Sequence, residues 1–425
     1  MEYSTDKSFA LEMDTNDPLS KYREQFHIPK QENGDDCIYF CGNSLGLQPK
    51  AARSYVEEEL DDWAKLAVDG HLRARHPWLP YHEFLCEQTA RAVGARPIEV
   101  VVMNTLTVNL HLMLVSFYRP TAAKHKILME AHAFPSDQYA VKSQIRYHGF
   151  DPATSLITVA PRSGETHIRT EDIESFISQE GDAIALVLLG GVNYYTGQAF
   201  EMERIVQAGH AKNCTVGFDL AHAAGNIPLE LHDWNVDFAV WCSYKYLSGG
   251  PGCVAGCFVH ERHANRTDLP RFAGWWGQNK ETRFQMGPEF EAIPGAEGWQ
   301  LSNPPILPMA TLRASMDLFD EIGLSNLRKK SLRLTGYLEY LLLEKADPDI
   351  AILTPSDPNQ RGCQLSLRVR NNGMELYQRL KPYGIVCDWR EPDVIRVAPV
   401  PLYNTFEDIH AFVQIFFDEM QKLNA

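Results

Sequence analysis

The sequence predicts an α/β protein in which a large three-layer domain with a mostly parallel sheet is followed by a small α+β domain. Short apolar runs alternate with amphipathic helical patterns through the middle of the chain, as in a series of βαβ units. These runs are apolar throughout, which is typical of parallel strands covered on both faces. Charged residues follow two of the runs, and ligands of such sheets bind at the carboxyl ends of the strands.

The size and composition of the chain limit its function. Its 425 residues can bury a large core and form two or three domains. The net charge is −15, from 55 acidic and 40 basic residues, so we expect no nucleic-acid partner and no contact with an anionic membrane surface. No apolar run reaches the roughly 18 residues of a membrane helix, and the start of the chain has no signal-peptide pattern.

Nine cysteines are scattered along the chain, and nine is an odd number. The closest pairs, Cys37/Cys41 and Cys253/Cys257, have no histidine or further cysteine cluster beside them. This spacing does not indicate a metal site. We interpret the cysteines as reduced core thiols of a cytoplasmic protein.

Apolar runs and helical patterns can be assigned along most of the chain. The predicted strands of the large domain are 126–129, 183–189, 215–218 and 238–241, and the predicted helices are 49–68, 107–117, 136–146, 169–178 and 202–212. After the Pro-rich segment 303–308, a long helical region extends to about residue 345. The tail then reads as strands 363–369, 385–389 and 394–398 with helices 374–380 and 406–423.

These patterns predict three parts. An N-terminal segment (1–48) docks on the body, a large ligand-binding domain covers 49–308, and a small C-terminal domain covers 309–425.

Lys245 is the most informative residue. It follows the run 238–241 within Ser243-Tyr244-Lys245-Tyr246 and precedes a Gly-rich stretch. A charged amine at the end of a buried strand is costly unless it is neutral or covalently bound. Asp219 follows the run 215–218 and is therefore expected at the same edge of the sheet. A lysine and a carboxylate in this arrangement can bind pyridoxal phosphate (PLP), the lysine as a Schiff base and the carboxylate at the protonated pyridine nitrogen.

Each of these residues also has a purely structural interpretation. Asp219 alone could cap the next helix, with His222 packed in the core. Thr107 could be a simple N-cap, although Leu106 and Thr107 at a helix start would also suit a phosphate. Phe134 could stack on a pyridine ring, or could be a core residue before a helix.

Three further segments can be interpreted either as ligand-binding residues or as packing residues. A hydroxyl in Tyr194-Tyr195 could donate to a phosphate, and the tryptophans of Gly274-Trp275-Trp276-Gly277 could form a stacking surface. Arg396 lies inside an apolar strand, where its guanidinium would suit a substrate carboxylate. Alternatively, Arg396 pairs with Asp393 or Glu391 on a half-exposed strand.

In order and spacing, these segments resemble the kynureninases, which are fold-type-I PLP enzymes of the aminotransferase class V group. The resemblance covers about residues 38–416. Asp-x-x-His with Ser-x-Lys would match many class V members, whereas the Gly-Trp-Trp-Gly loop and the Ser-Asn-Pro-Pro turn point to kynureninases themselves. The most specific segments are 40–47, 133–137, 217–223, 241–247, 302–305 and 395–404.

The resemblance implies a PLP-dependent transferase-like fold and hydrolytic cleavage of the Cβ–Cγ bond of L-kynurenine and 3-hydroxy-L-kynurenine. The products would be L-alanine and anthranilate or 3-hydroxyanthranilate, within tryptophan catabolism and NAD synthesis. It also implies a homodimer with shared active sites, in which Trp275 and Asn303 reach the neighbouring subunit's cofactor.

The resemblance further assigns residue roles. The catalytic residues would be Lys245, Asp219 and Tyr244. The cofactor would be bound by Leu106, Thr107, Phe134, Pro135, Ser136, Asp137, Gly190, Tyr195, Asp219, His222, Tyr244, Lys245, Trp275 and Asn303. The substrate would be bound by Arg396, His71, Ser44 and Asn303.

Two positions depart from animal kynureninases, since Gly190 stands where those relatives have serine and Gln278 where they have histidine. Two rival functions were considered. A cysteine desulfurase would need a cysteine on a mobile loop, but Cys242 and Cys253 flank Lys245 on predicted strands. A PLP-binding protein without turnover is disfavoured by the intact set of Lys245, Asp219 and Arg396.

Overall fold

The computed structural model describes residues 3–424. Residues 1, 2 and 425, at the outer ends of the first and last predicted domains, lie outside the described residues. The α-helices are α1 (Lys7–Thr15), α2 (Ala52–Leu66), α3 (Gly70–Arg73), α4 (Cys86–Val93), α5 (Leu106–Phe117), α6 (Pro135–Tyr147), α7 (Pro152–Ser155), α8 (Thr170–Glu180), α9 (Met202–Ala211), α10 (Ile306–Ile322), α11 (Leu324–Lys345), α12 (Gly373–Leu380) and α13 (Phe406–Asn424).

The strands form three sheets. They are β1 (Ile38–Tyr39), β2 (Val100–Val102), β3 (Lys126–Glu130), β4 (Leu156–Val159), β5 (Ile184–Gly190), β6 (Thr215–Asp219), β7 (Phe238–Trp241), β8 (Gly256–Val259), β9 (Ile350–Ile352), β10 (Leu365–Val369), β11 (Ile385–Val386), β12 (Asp388–Arg390) and β13 (Val394–Val397). The main sheet has seven strands in the order β2-β8-β7-β6-β5-β3-β4, and β8 runs antiparallel to both of its neighbours.

Alternate residues of the central strands pack into two different cores. On β5, Val187 and Leu189 join a cluster with α8 and α9, whereas Leu186 and Leu188 join a cluster with α5 and α6. Because successive side chains of a strand point to opposite faces, the sheet is buried on both sides. The predicted α/β three-layer architecture is therefore confirmed.

Several strands of the main sheet were not predicted. The sequence analysis missed β2, β4 and β8, each of which has only three or four residues. The helix predicted over 49–68 is observed as the shorter α2. The long helical region after residue 308 is divided into α10 and α11 by Gly323, which has a φ of 77°. Cys242 and Cys253 were expected on strands, but both lie outside them, between the end of β7 and the start of β8.

The C-terminal part contains a four-stranded antiparallel sheet of order β12-β13-β10-β9, packed on α11, α12 and α13. A third hydrophobic cluster lies there, which includes Phe412 and Phe416. The three-part division at 48/49 and 308/309 stays a prediction.

The N-terminal segment contacts this C-terminal part. The Asp14 carboxylate accepts the N–H groups of Phe406 (2.8 Å) and Glu407 (2.9 Å), and so caps the first turn of α13. Asp17 pairs with the buried Lys330 at 2.7 Å, and β1 pairs in parallel with β11. No helix among residues 3–424 has the length and apolar character needed to cross a membrane.

Candidate active site

The carboxyl ends of the central strands surround one cleft. Its empty volume, including the open mouth, is about 570 Å³. The predicted site residues that line it are Leu106, Thr107, Phe134, Ser136, Asp137, Gly190, Asp219, His222, Tyr244 and Lys245. Residues that are far apart in sequence are thus brought together as the parallel topology requires.

Asp219 ends β6 and lies on the floor of the cleft, with 8% of the residue exposed. Its Oδ1 accepts the Ala221 N–H at 2.7 Å, so it caps a turn and not a regular helix. Burial raises the pKa of Asp219, against the lowering effect of the Ala221 N–H and of Lys245. A buried carboxylate in this position is stabilised by a cation placed in the cleft.

Lys245 lies in the turn that follows β7. Two hydrogen bonds close the turn. The Ser248 N–H donates to the Lys245 carbonyl (2.9 Å), and the Gly249 N–H donates to the Ser243 carbonyl (2.8 Å). Gly46 packs against this turn, where a Cβ would lie 2.3 Å from the Lys245 carbonyl oxygen. The turn is therefore fixed from both sides, and it directs the lysine toward the cleft.

Two aromatic rings lie beside the Lys245 amine. Its Nζ is 5.9 Å from the ring centroid of Phe134 and 5.9 Å from that of Tyr244. Phe134 is 45% exposed and packs edge-on against Tyr194 at 5.2 Å, so it is not a core residue. Its ring is available for stacking on a ligand in the cleft.

The opposite side of the cleft suits a phosphate. Helix α5 begins at Leu106, and the Thr107 hydroxyl lies 3.0 Å from the hydroxyl of Ser136 in the first turn of α6. Two helix N-termini with paired hydroxyl groups provide donors for an anion. The segment therefore fits the phosphate end of PLP, while Asp219 fits its ring nitrogen.

Unpaired buried atoms also face the cleft. Asp137 Oδ1 and His222 Nδ1 have no hydrogen-bond partner within the described part of the chain. Burial, with Asp219 and Glu130 nearby, raises the pKa of Asp137 well above its usual range. Burial and the Lys245 charge lower the pKa of His222, which is therefore neutral and can donate or accept. Such groups fit a polar ligand like PLP.

Glu130, Val192 and Ala221 also line this cleft but were not predicted as site residues. Glu130 directly follows the run 126–129, just as Asp219 follows the run 215–218. The same signal, an acidic residue that ends an apolar strand, was therefore present for Glu130.

Other predicted site residues do not line the cleft: Pro135, Tyr195, Trp275, Asn303, Arg396, His71 and Ser44. Pro135 is the exposed first residue of α6, and Tyr195 lines a neighbouring cleft with Arg368. Tyr194, not Tyr195, faces the candidate PLP site. Ser44 is exposed in a turn that is bonded to the Lys245 segment through the Gly46 N–H and the Tyr244 carbonyl (2.8 Å).

Arg396 is almost completely buried, with 1% exposed. It lies directly opposite Asp388 on the neighbouring antiparallel strand, and this carboxylate accepts from Nε at 2.6 Å and also from Nη2. Its Nη1 donates to the Tyr194 carbonyl at 2.7 Å. The alternative partners considered from sequence, Asp393 and Glu391, are not those that it bonds. The guanidinium is therefore held at the Tyr194 segment, which lines the cleft.

Trp275, Asn303 and His71 lie elsewhere on the surface. Trp275 is 43% exposed and Asn303 is exposed, while His71 is half-buried against Trp78. Trp78 lines an apolar surface cleft with Trp63 and Leu307. These residues are accessible to another molecule.

Comparisons with known proteins identify the family of this chain. A family model described as the kynureninase C-terminal domain matches residues 327–416. The kynureninase of Koribacter versatilis (strain Ellin345) is 61% identical over 414 residues, which cover 97% of this chain and 98% of that protein. The kynureninase of Myxococcus xanthus (strain DK1622) is 59% identical over 412 residues, with 97% of each chain covered. The chain belongs to the kynureninase family.

Solved structures confirm the predicted fold of this kynureninase-family chain. The apo structure of a cysteine desulfurase from Thermococcus onnurineus NA1 has a TM-score of 0.74 at 16% identity, and covers 97% of this chain and 98% of its own. A C-DES mutant with glycine covalently linked to its PLP cofactor has a TM-score of 0.77 at 17% identity, with 93% and 98% covered. At these identities the likeness concerns the fold alone, which is PLP-dependent fold type I.

The two departures from animal kynureninases have local explanations. The Gly190 N–H donates to both oxygens of the Glu130 carboxyl (3.2 Å), and this carboxyl would lie 3.1 Å from a Cβ at position 190. The Gln278 amide donates to the Thr282 hydroxyl at 2.9 Å and its oxygen accepts the Glu291 N–H at 2.8 Å. Gln278 thus stabilises its own loop.

Proposed function

We propose that this chain hydrolyses the Cβ–Cγ bond of L-kynurenine and 3-hydroxy-L-kynurenine, with PLP held in the cleft between Lys245 and Asp219. Membership of the kynureninase family confirms the predicted activity and its PLP cofactor. The residue roles below are our proposal. The observation that carries them is that Lys245 and Asp219 line one cleft beside an exposed aromatic ring and a pair of helix N-termini.

When bound, PLP supplies a carbonyl group for the substrate amine and withdraws electrons from the α-carbon of the substrate. Lys245 Nζ would hold PLP as a Schiff base and, as a free amine, would take the α-proton of the substrate as general base. Asp219 would hold the pyridine nitrogen and favour its protonated form. Burial raises the pKa of Tyr244, so its hydroxyl stays protonated as a proton donor in the lining of the cleft. One water adds to the γ-carbonyl carbon of the substrate, and the Cβ–Cγ bond then breaks to release anthranilate. We assign Tyr244 to the proton transfer to Cβ that completes L-alanine.

The decisive assay is the fluorescence of anthranilate, measured with added PLP and kynurenine, together with L-alanine release. We expect both products in equal amounts. We also expect a higher kcat/KM with 3-hydroxykynurenine, because the kynureninase resemblance places His71 and Asn303 near the substrate ring, where the proposed shared sites of a dimer would bring them. A protein that contains PLP but forms no anthranilate would contradict the proposal.

Desulfurase activity is not supported, although the fold is shared with cysteine desulfurases. Cys242 and Cys253, which flank Lys245, are both buried. Burial raises the pKa of the Cys253 thiol to about 12 and also raises that of Cys242. Neither has the exposure or the thiolate character that a nucleophilic cysteine needs.

Arg396 is proposed to bind the substrate carboxylate. We expect Arg396→Lys to raise the KM for kynurenine about tenfold or more, because lysine keeps the charge but loses the planar fork. Inhibition by kynuramine, which lacks the carboxylate, should be unchanged. Arg390→Lys is the matched control, since Arg390 also pairs with Asp388 (3.0 Å) but its side chain is 39% exposed. Equal effects of both variants on KM would contradict the assignment.

We also propose a homodimer with shared active sites. Support comes from the position of Trp275 and Asn303 outside this chain's own cleft and from exposed apolar side chains, among them Trp63 (62%), Phe284 (60%) and Met286 (75%). Trp275 and Phe284 pack edge-on at 5.5 Å, so part of this exposed apolar surface lies beside Trp275. Because all nine cysteines are free thiols, we place the enzyme in the cytoplasm, in tryptophan catabolism and NAD synthesis.

Subunit complementation tests the shared sites. Lys245→Ala and the double variant Trp275→Ala/Asn303→Ala should each be inactive, but a mixture refolded at equal amounts should regain about a quarter of wild-type activity. Half of the dimers would be mixed, and each would contain one intact site. The control mixture of Lys245→Ala with Asp219→Asn places both defects on the same side of the site, so it should regain nothing. No recovery in the first mixture would refute shared sites.

A further inference from the structure

Glu130 is a buried acidic residue for which the proposed mechanism has no role. It ends β3 and lines the cofactor cleft, with 5% of the residue exposed. Both carboxyl oxygens accept the Gly190 N–H at 3.2 Å. Gly190 ends β5, and its Cα is paired in register with Asp219 on the next strand. The Glu130 carboxyl therefore lies one strand away from the carboxylate that faces the pyridine nitrogen.

Glycine at position 190 makes room for this arrangement. A Cβ there would lie 3.1 Å from Glu130 Oε1, which is tighter than most Cβ contacts. The kynureninase resemblance gives animal relatives a serine at this position. In this chain the carboxyl occupies the space beside the backbone that such a side chain would need.

The floor of the cleft carries an excess of acidic groups. Glu130, Asp137 and Asp219 line it together, with Lys245 and the neutral His222 also in its lining. Burial, and then Asp219, raise the pKa of Glu130 to about 7. Asp137 Oδ1 and His222 Nδ1 are buried and lack a partner among the residues that the structure describes. Three carboxyl groups thus share one ammonium, and a cationic ligand would relieve their repulsion.

We propose that Glu130 is a positioning residue for the cofactor. The Glu130 carboxylate, held by the Gly190 N–H, acts behind Asp219 as a second negative charge. This charge favours the protonated form of the pyridine ring. The inference rests on the proposed function, since it requires PLP in the cleft. It has two opposite consequences. The charge should destabilise the protein without cofactor, because it is buried and uncompensated, and it should strengthen the binding of a cationic ring.

Cofactor binding gives the first test. Glu130→Gln keeps the size of the side chain and an acceptor for Gly190, but it cannot ionise. At about pH 6 wild-type Glu130 is mostly protonated, so both proteins should bind PLP alike. At about pH 8.5 the wild type should bind PLP about tenfold more tightly, which corresponds to one pKa unit of coupling. The measurement is a titration of the full-length apoprotein with PLP, followed by absorbance, at each pH.

The stability of the apoprotein gives a second test that is independent of activity. The pKa of Glu130 is raised above its unfolded value, so its contribution to stability is present at low pH and is lost as the pH rises through about 7. Glu130→Gln avoids that loss. Its urea midpoint, relative to the wild type, should therefore rise between about pH 5 and pH 8.5. If Glu130 had an ordinary pKa in the apoprotein, Glu130→Gln would shift the midpoint by the same amount at both pH values.

Two further variants separate charge from geometry. Gly190→Ala keeps the Glu130 carboxyl but displaces it, and should therefore weaken PLP binding at about pH 8.5. This variant keeps the proposal testable if Glu130→Gln folds poorly. Glu99→Gln, at a fully buried glutamate beside the outer strand β2, should change stability but not the pH dependence of PLP binding. Equal pH dependence in the wild type and Glu130→Gln would overturn the role of Glu130 alone. Failure of the wild type to bind PLP would overturn the proposed function with it.

Discussion

Replacement of Lys245 by alanine is expected to abolish kynurenine cleavage, with kcat lowered about 10³-fold or more. The variant loses the amine that binds the cofactor covalently, and in the same change loses the general base for the α-proton. Because Lys245 lies in a turn at the cleft and not in a packed core, the protein should still fold. The measurements are anthranilate fluorescence for activity and the visible absorbance of bound PLP for covalent attachment.

A matched control is available on the same sheet. Lys126 begins β3, at the edge away from the cleft, and pairs with Glu180 at 3.0 Å on the surface. Lys126→Ala should change kcat little, because surface pairs contribute only about 0–1 kcal/mol to stability. If Lys245→Ala retained turnover comparable to Lys126→Ala, the assignment of the catalytic lysine would be wrong.

Asp219→Asn is expected to lower kcat/KM by about 10²–10⁴-fold. Asparagine keeps the shape of the side chain and can still accept the Ala221 N–H, but it removes the negative charge beside the pyridine nitrogen. Loss of one partner of a buried pair costs about 3–5 kcal/mol, and each 1.36 kcal/mol is a factor of ten in rate. Kinetics at saturating PLP separate this effect from weaker cofactor binding.

The control for this variant is a buried aspartate that lies outside the cleft. Asp237 precedes β7 and accepts the Val216 N–H (2.8 Å) and His263 Nε2 (2.8 Å). Asp237→Asn should lower stability, because the hydrogen bonds and ion pairs of this carboxylate hold its pKa far below its ordinary value. It should leave kcat/KM of the folded enzyme unchanged. Similar kinetic losses in both variants would indicate a general effect of destabilisation.

The longer apolar strands and the functional residues at their ends could be predicted from sequence. The signal is an apolar run, which indicates a buried strand, followed closely by a charged residue. Lys245 and Asp219 were found in this way, and Glu130 carried the same signal. The short strands β2, β4 and β8 give weak patterns, since three or four residues are too few to define a period. Their pairing depends on neighbours that are distant in the chain.

Arg396 shows a different limit of sequence analysis. Its cross-strand partner in the structure is Asp388. The sequence suggested Asp393 or Glu391 as the partner, and both are nearer in the chain. Which acid pairs with an arginine depends on the register of two antiparallel strands, and sequence spacing does not determine register. Tyr194 and Tyr195 are adjacent in a turn, yet only Tyr194 lines the cleft.

The capping of α13 by Asp14 has a consequence for synthesis. The two partners are 392 residues apart in the chain, and β1 likewise waits for β11. At about 5–20 residues per second, the first segment leaves the ribosome roughly 20–80 seconds before its partner exists. During that interval neither the Asp14 cap nor the β1–β11 pair can form, so the docking of this segment on the C-terminal part is completed only after residue 406 has been made.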